Sequence, residues 1–218
     1  MNKTQIIPYD AKSIEAKVTH NDTEIDSWIA NTLSKHKPEH PFKFFIAGLD
    51  CKWNFHLLRS MRTKMATLQL CIQEDCLVLQ LQYLNTAPKS LRDFLSNKNI
   101  VFVGVEIEEN MRKLREEYGL VCARGYDLRA LAKVCFPLSC GGCCTSLKAL
   151  GRWFAGLETL EVADAPFWLR RMDYKELNEK QVEIACVDAY ACCRIGTELF
   201  KELHTSMPLE AFDNDVLL

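Results

Sequence analysis

The chain has 218 residues, 48% of them hydrophobic and 26% charged, with a formal net charge of −2. These values describe an ordinary globule, large enough for one core and small for two, and they exclude a surface-wide attraction to polyanions. No apolar run reaches the ~18 residues of a membrane span, and Met1 to Asp10 lacks the apolar centre of a secretory signal. A single domain over residues 1–218, with its core at about 14–204, is expected in a reducing nuclear or cytoplasmic compartment. The 11 cysteines are odd in number and scattered, so they are expected to be buried thiols rather than disulfide partners.

In chain order, the termini are expected to be loose. Ile14 to Val18 alternates like an edge strand, and Asp22-Thr23 offers an N-cap, with Asp26 at capping-box spacing, for a helix to about His36. Phe44 to Leu49 is a continuous apolar run, while Met65 to Ile72 and Cys76 to Leu81 alternate, predicting three antiparallel strands with two short connections. Ile100 to Val105 predicts a buried fourth core strand. A helix over Glu108 to Tyr118 follows, with Met111, Leu114 and Tyr118 on one face and Gly119 at its end. A short strand near Leu120 to Ala123 is expected. Helices then follow from Asp127 through Val134, over Ser146 to Phe154, and from about Asn178 to His204. This predicts an α/β fold with a mixed five- to six-stranded sheet, three antiparallel strands then parallel ones, flanked by helices.

Four stretches on this frame carry a resemblance. Ala47-Gly48-Leu49-Asp50-Cys51-Lys52-Trp53 resembles the first motif of the DEDD superfamily of 3′-to-5′ exonucleases, whose pattern is Gly-x-Asp-x-Glu-Trp. Ala66 to Cys71 is similar to the second strand of the Werner-syndrome-type branch. Phe102 to Leu114 is similar to the second motif, and Gln181 to Ala191 to the third, Gln-x-x-Tyr-Ala-x-x-Asp-Ala-Tyr. The similarity runs from about Ile14 to Leu203 and is nearest to the single-domain plant members. It implies a ribonuclease-H-like fold, single-stranded DNA or RNA as substrate, and Mg or Mn as cofactor.

The resemblance also implies a two-metal reaction, in which cations about 3.5 to 4 Å apart activate a water and stabilise the attacking and leaving oxygens. Four carboxylates hold those ions, and a tyrosine orients the water. Here Asp50 and Asp188 occupy two of the acid positions, but Lys52 and Asn110 occupy the other two, and Ile184 the tyrosine position. Residues 50 and 52 face the same side of a strand, so the ammonium would lie beside Asp50. Asp50, Asp188 and Lys52 together carry about −1, against −4 in the family pattern. The expectation is that Lys52 stands in for the metal, that binding of Mg or Mn at Asp50 and Asp188 is weak or absent, and that exonuclease activity is weak or lost. The alternative is a non-catalytic nucleic-acid-binding or assembly protein on the same fold.

The neighbouring acids carry less weight. A one-residue step turns a helical side chain by ~100°, aiming Glu109 away from the site, and Glu106, Glu108 and Glu109 suit a solvated helix start. Glu183 is expected to be an exposed helix carboxylate. Lys148, Arg152, Arg170 and Arg171, with Trp53, Phe167 and Trp168, are the candidate nucleic-acid contacts, although Trp53 also suits a packed core. Cys140-Gly141-Gly142-Cys143-Cys144 holds half of a zinc site or a dithiol motif, but no second ligand pair accompanies it. A Gly-rich loop with incidental thiols is the expected reading. His20, His36, His40, His56 and His204 form no metal spacing and are expected at the surface. No membrane partner is expected, and loss of a working site would leave room for a homo-oligomer.

Overall fold

The computed structural model describes residues 3–10, 12–38, 42–53, 64–138, 146–157, 160, 169 and 171–206. Its strands are β1 (Lys3–Tyr9), β2 (Lys12–Thr19), β3 (Phe45–Trp53), β4 (Met65–Ile72), β5 (Asp75–Leu79), β6 (Ile100–Gly104) and β7 (Gly125–Asp127). They form one sheet in the order β1-β2-β5-β4-β3-β6-β7. The β3-β4-β5 meander is antiparallel, as its alternation predicts, and β6 runs parallel to β3 after the crossover.

The helices are α1 (Asp22–Lys35), α2 (Lys89–Leu95), α3 (Ile107–Tyr118), α4 (Leu128–Cys135), α5 (Leu147–Leu150) and α6 (Glu179–Ser206). A wider π-type turn over Gly151–Ala155 extends α5. Strand periodicity sorts the core into two layers. Ala47, Leu49 and Cys51 of β3 pack with Ile25 of α1, Phe94 of α2 and Leu114 of α3. Ile46, one residue out of phase, joins Leu131 of α4 and the buried face of α6 on the other side.

Several sequence expectations need correction. Among the described residues the sheet has seven strands rather than five or six, because Lys3–Tyr9 pairs antiparallel with β2 instead of hanging loose. β2 is therefore an inner strand, parallel to β5. The last strand lies at Gly125–Asp127 rather than Leu120 to Ala123, paired with β6 at Phe102, Val103 and Gly104. β3 ends at Trp53 and β4 begins at Met65, farther apart along the chain than the short connection expected. Asn21, not Asp22 or Thr23, caps α1, accepting from the Thr23 and Glu24 backbone N–H groups at 3.0 and 3.3 Å. His36 is buried, with Nε2 2.7 Å from Asp75 Oδ2, tying the end of α1 to the start of β5.

Gly119 does end α3, as predicted. It sits at φ 66 with its N–H bonded to the Arg115 carbonyl at 3.0 Å, and an added methyl would meet nothing within 4 Å. The only penalty for Gly119→Ala is thus the left-handed backbone, about 1 kcal/mol. Urea unfolding should show that loss with an unchanged slope; an unaltered midpoint would contradict the cap assignment.

Candidate functional site

The site begins with an approach that only glycine allows. Gly48 of β3 lies under α6, where an added methyl would sit 1.9 Å from the Ala189 carbonyl oxygen and 2.7 Å from the Cys193 nitrogen. This close approach sets Asp188, the residue before Ala189, over the C-terminal half of β3. Asp50 and Lys52 follow Gly48 at intervals of two and share its face.

The result is an ion triad. Lys52 Nζ lies 2.7 Å from Asp50 Oδ2 and also donates to Asp188 Oδ2. All three side chains are largely enclosed, with 20%, 21% and 11% exposure for Lys52, Asp50 and Asp188. The Asp50 contact is an ion pair, and among the described residues Asp50 Oδ2 makes no well-aligned hydrogen bond. Burial opposes the Lys52 charge, but the Asp188 and Asp50 carboxylates outweigh it and hold the ammonium pKa well above the ordinary lysine value.

The triad lies in a cleft of about 330 Å³ lined by Asp50, Lys52, Ile184 and Asp188, with Val105, Glu106, Ser146, Leu147, Lys148 and Leu160 completing its walls. Among the described lining residues three carboxylates accompany two ammonium groups, one net negative charge. Asn110 is buried on the inner face of α3 with Ile107 and Leu114 and is not one of the residues lining the cleft.

Two polar neighbours of the site, Thr67 and Gln69, are not singled out by the sequence, and a third, Glu106, is read there only as part of a solvated helix start. Glu106 adopts φ 56 at the start of α3, and its backbone N–H donates to Asp127 Oδ2 at 2.7 Å. Its side chain is exposed, as expected of a solvated helix start, and also lines the cleft, 3.7 Å from Arg129. Thr67 and Gln69 of β4 pair directly across from Lys52 and Asp50. Both are fully buried; Gln69 Nε2 donates to Thr67 Oγ1 at 2.5 Å, and Gln69 Oε1 has no hydrogen-bond partner among the described residues. Cross-strand register could have flagged this pair, whereas nothing local signals the left-handed turn at Glu106.

The other candidates are dispersed. Glu109 pairs with Arg112, at 2.6 and 2.9 Å, and Glu183 with Lys180 at 2.7 Å, and neither is among the residues lining the cleft. Trp53 is half-buried against the α1-α2-α3 layer, 5.6 Å below the Lys113 ammonium, on the opposite sheet face from the cleft. Lys148 lines the cleft, whereas Arg152 is exposed and not among its lining residues. Arg171 is paired with Asp173 at 2.6 and 3.0 Å and lies 4.7 Å from the Tyr174 ring. Arg170, Phe167, Trp168, His40, His56 and the segment from Cys140 to Cys144, including Cys143, lie outside the described residues.

No protein-family model matches the chain. Mouse exonuclease 3′-5′ domain-containing protein 2 is 32% identical over 168 residues, covering 73% of this chain and 24% of that protein. The mouse bifunctional 3′-5′ exonuclease/ATP-dependent helicase WRN is 27% identical over 147 residues, 67% of this chain and 10% of the helicase. The chain spans a quarter or less of the length of the curated relatives it matches. Among solved structures, Escherichia coli RNase D aligns with 94% of this chain and 48% of its own at a TM-score of 0.65 and 17% identity, a likeness of fold.

Proposed function

We propose that this chain, which has the DEDD 3′-to-5′ exonuclease-like fold, binds single-stranded DNA or RNA without metal-dependent phosphodiester hydrolysis. The observation that carries this reading is the Lys52 ammonium set between Asp50 and Asp188. Two divalent ions bring four positive charges and need several acids to hold them. Asp50 and Asp188 are already neutralised in part by a cation that is covalently fixed in place. Among the described residues no group of three or more His, Cys, Asp or Glu side chains is placed to hold a metal ion. The donor set does not fit Mg or Mn, and Ile184, on the same helical face as Asp188, offers no group to orient water.

Binding is a lesser demand than cleavage. The Val105, Leu147, Leu160 and Ile184 walls suit the apolar faces of a nucleoside, and Lys148 offers a positive charge to a phosphate. The relatives named as 3′-5′ exonucleases support nucleic acid as the ligand class.

A 3′-labelled single-stranded oligonucleotide tests this directly. Incubated with magnesium or manganese, the chain should shorten it no faster than Asp50→Asn does, while retaining it in a filter-binding assay in the presence of EDTA. Metal-dependent shortening that Asp50→Asn abolishes would refute the loss of hydrolysis. Failure to retain either a DNA or an RNA strand would refute the binding role.

A further inference from the structure

The hairpin joining β4 and β5 places two thiols face to face on the α6 side of the sheet. Cys71 and Cys76 are register partners, one step inside the closing pair Ile72 and Asp75. A two-residue turn over Gln73 and Glu74, with Gln73 at φ 52, makes that closing pair the hydrogen-bonded one. Hydrogen-bonded and non-hydrogen-bonded pairs alternate, so Cys71 and Cys76 form a non-hydrogen-bonded pair, with Cα atoms ~4.5 Å apart. That separation falls within the ~4.4 to 6.8 Å a disulfide spans.

We propose that Cys71 and Cys76 are an oxidisable pair that closes to a cross-strand disulfide under peroxide. Both thiols are fully buried; Cys76 Sγ lies 4.0 Å from the Cys186 carbonyl oxygen, to which it donates, and Cys71 Sγ donates to the Gln73 carbonyl at 3.3 Å. Burial opposes a thiolate at Cys76, but the Cys186 and Cys71 thiols beside it outweigh burial and hold its pKa below the ordinary thiol value, whereas burial pushes Cys71 and Cys186 well up. Cys76 is therefore the sulfur to be oxidised first. Its thiolate attacks hydrogen peroxide and breaks the O–O bond, giving a sulfenic acid; the hydroxide released takes a proton to become water. The Cys71 sulfur then attacks the sulfenic sulfur, the S–S bond forms, and the hydroxyl leaves with the Cys71 proton as a second water. Two thiols are oxidised and one peroxide is reduced.

The competing partner is Cys186 of α6, whose carbonyl oxygen lies 4.0 Å from Cys76 Sγ. Strand pairing fixes Cys71 against Cys76, whereas Cys186 belongs to a different layer.

The intact chain is treated with hydrogen peroxide, its remaining thiols are alkylated under denaturing conditions, and it is digested with a glutamate-specific protease, which cuts after Glu74. The expected product joins the fragment ending at Glu74 to the one beginning at Asp75, separates on reduction, and has its bridge at Cys71 and Cys76 by tandem mass spectrometry. The same product should form in Cys186→Ala. Full alkylation of Cys71 and Cys76 after oxidation, or a bridge from Cys76 to Cys186, would overturn the proposal.

Discussion

Gly48→Ala should destabilise the fold by about 3 kcal/mol or more, at the upper end of what overpacking a core produces. The added carbon would lie 1.9 Å from a carbonyl oxygen and 2.7 Å from a backbone nitrogen of α6, and neither is the end of a flexible side chain. Relief requires the whole helix to move off the sheet. α6 is the longest helix among the described residues and packs its buried face over β3, β4, β5 and β6. A shift large enough to clear Gly48 would loosen that layer along much of its length, since close-packed interiors transmit strain. It would also lift Asp188 from Lys52, because Asp188 precedes the residue that clashes. Urea unfolding followed by far-UV circular dichroism measures the effect. An unchanged midpoint would mean that α6 does not approach β3 as closely as described.

Much of this architecture is legible because two periodicities are strong. The even residues of β3 face α6 and the odd ones face α1, α2 and α3, which is why Asp50 and Lys52 could be placed on one face from spacing alone. Ile184 and Asp188, four apart on α6, likewise share a face and reach the cleft together. What failed to show has causes that differ from element to element. β1 reads Lys3-Thr4-Gln5-Ile6-Ile7-Pro8-Tyr9, and a proline argues against a strand unless that strand is at an edge, where a missing donor is harmless; β1 is the edge strand. Asn21 lost the capping assignment to Asp22 and Thr23 because adjacent residues of similar capping strength differ only in the backbone angles the chain adopts. His36 gave no signal because its partner, Asp75, comes from 39 residues away. Thr67 and Gln69 sit in a strand that is buried at every position, so their polarity reads as a break in a pattern until register sets them opposite Lys52 and Asp50.

The largest electrostatic effect is expected at Lys52. Lys52→Met keeps most of the side-chain volume and removes the charge, leaving Asp50 and Asp188 enclosed with no cation between them. Breaking a buried ion network by deleting one partner typically costs about 3 to 5 kcal/mol, because the remaining charge is desolvated and uncompensated. The loss should be greatest near neutral pH. At alkaline pH the sign follows from the raised folded-state pKa of Lys52. The ion-pair contribution is fully present below the unfolded lysine value of about 10.4 and declines as pH rises from there toward the folded value. The unfolded chain then releases its proton while the folded chain still holds one. The difference in unfolding free energy between the parent chain and Lys52→Met should therefore be flat from about pH 7 to 10 and narrow above that. A difference below about 1 kcal/mol at pH 7 is the size expected of an exposed pair. That outcome would show that Lys52 is not the cation holding Asp50 and Asp188 together, and would remove the main argument against a metal ion between them.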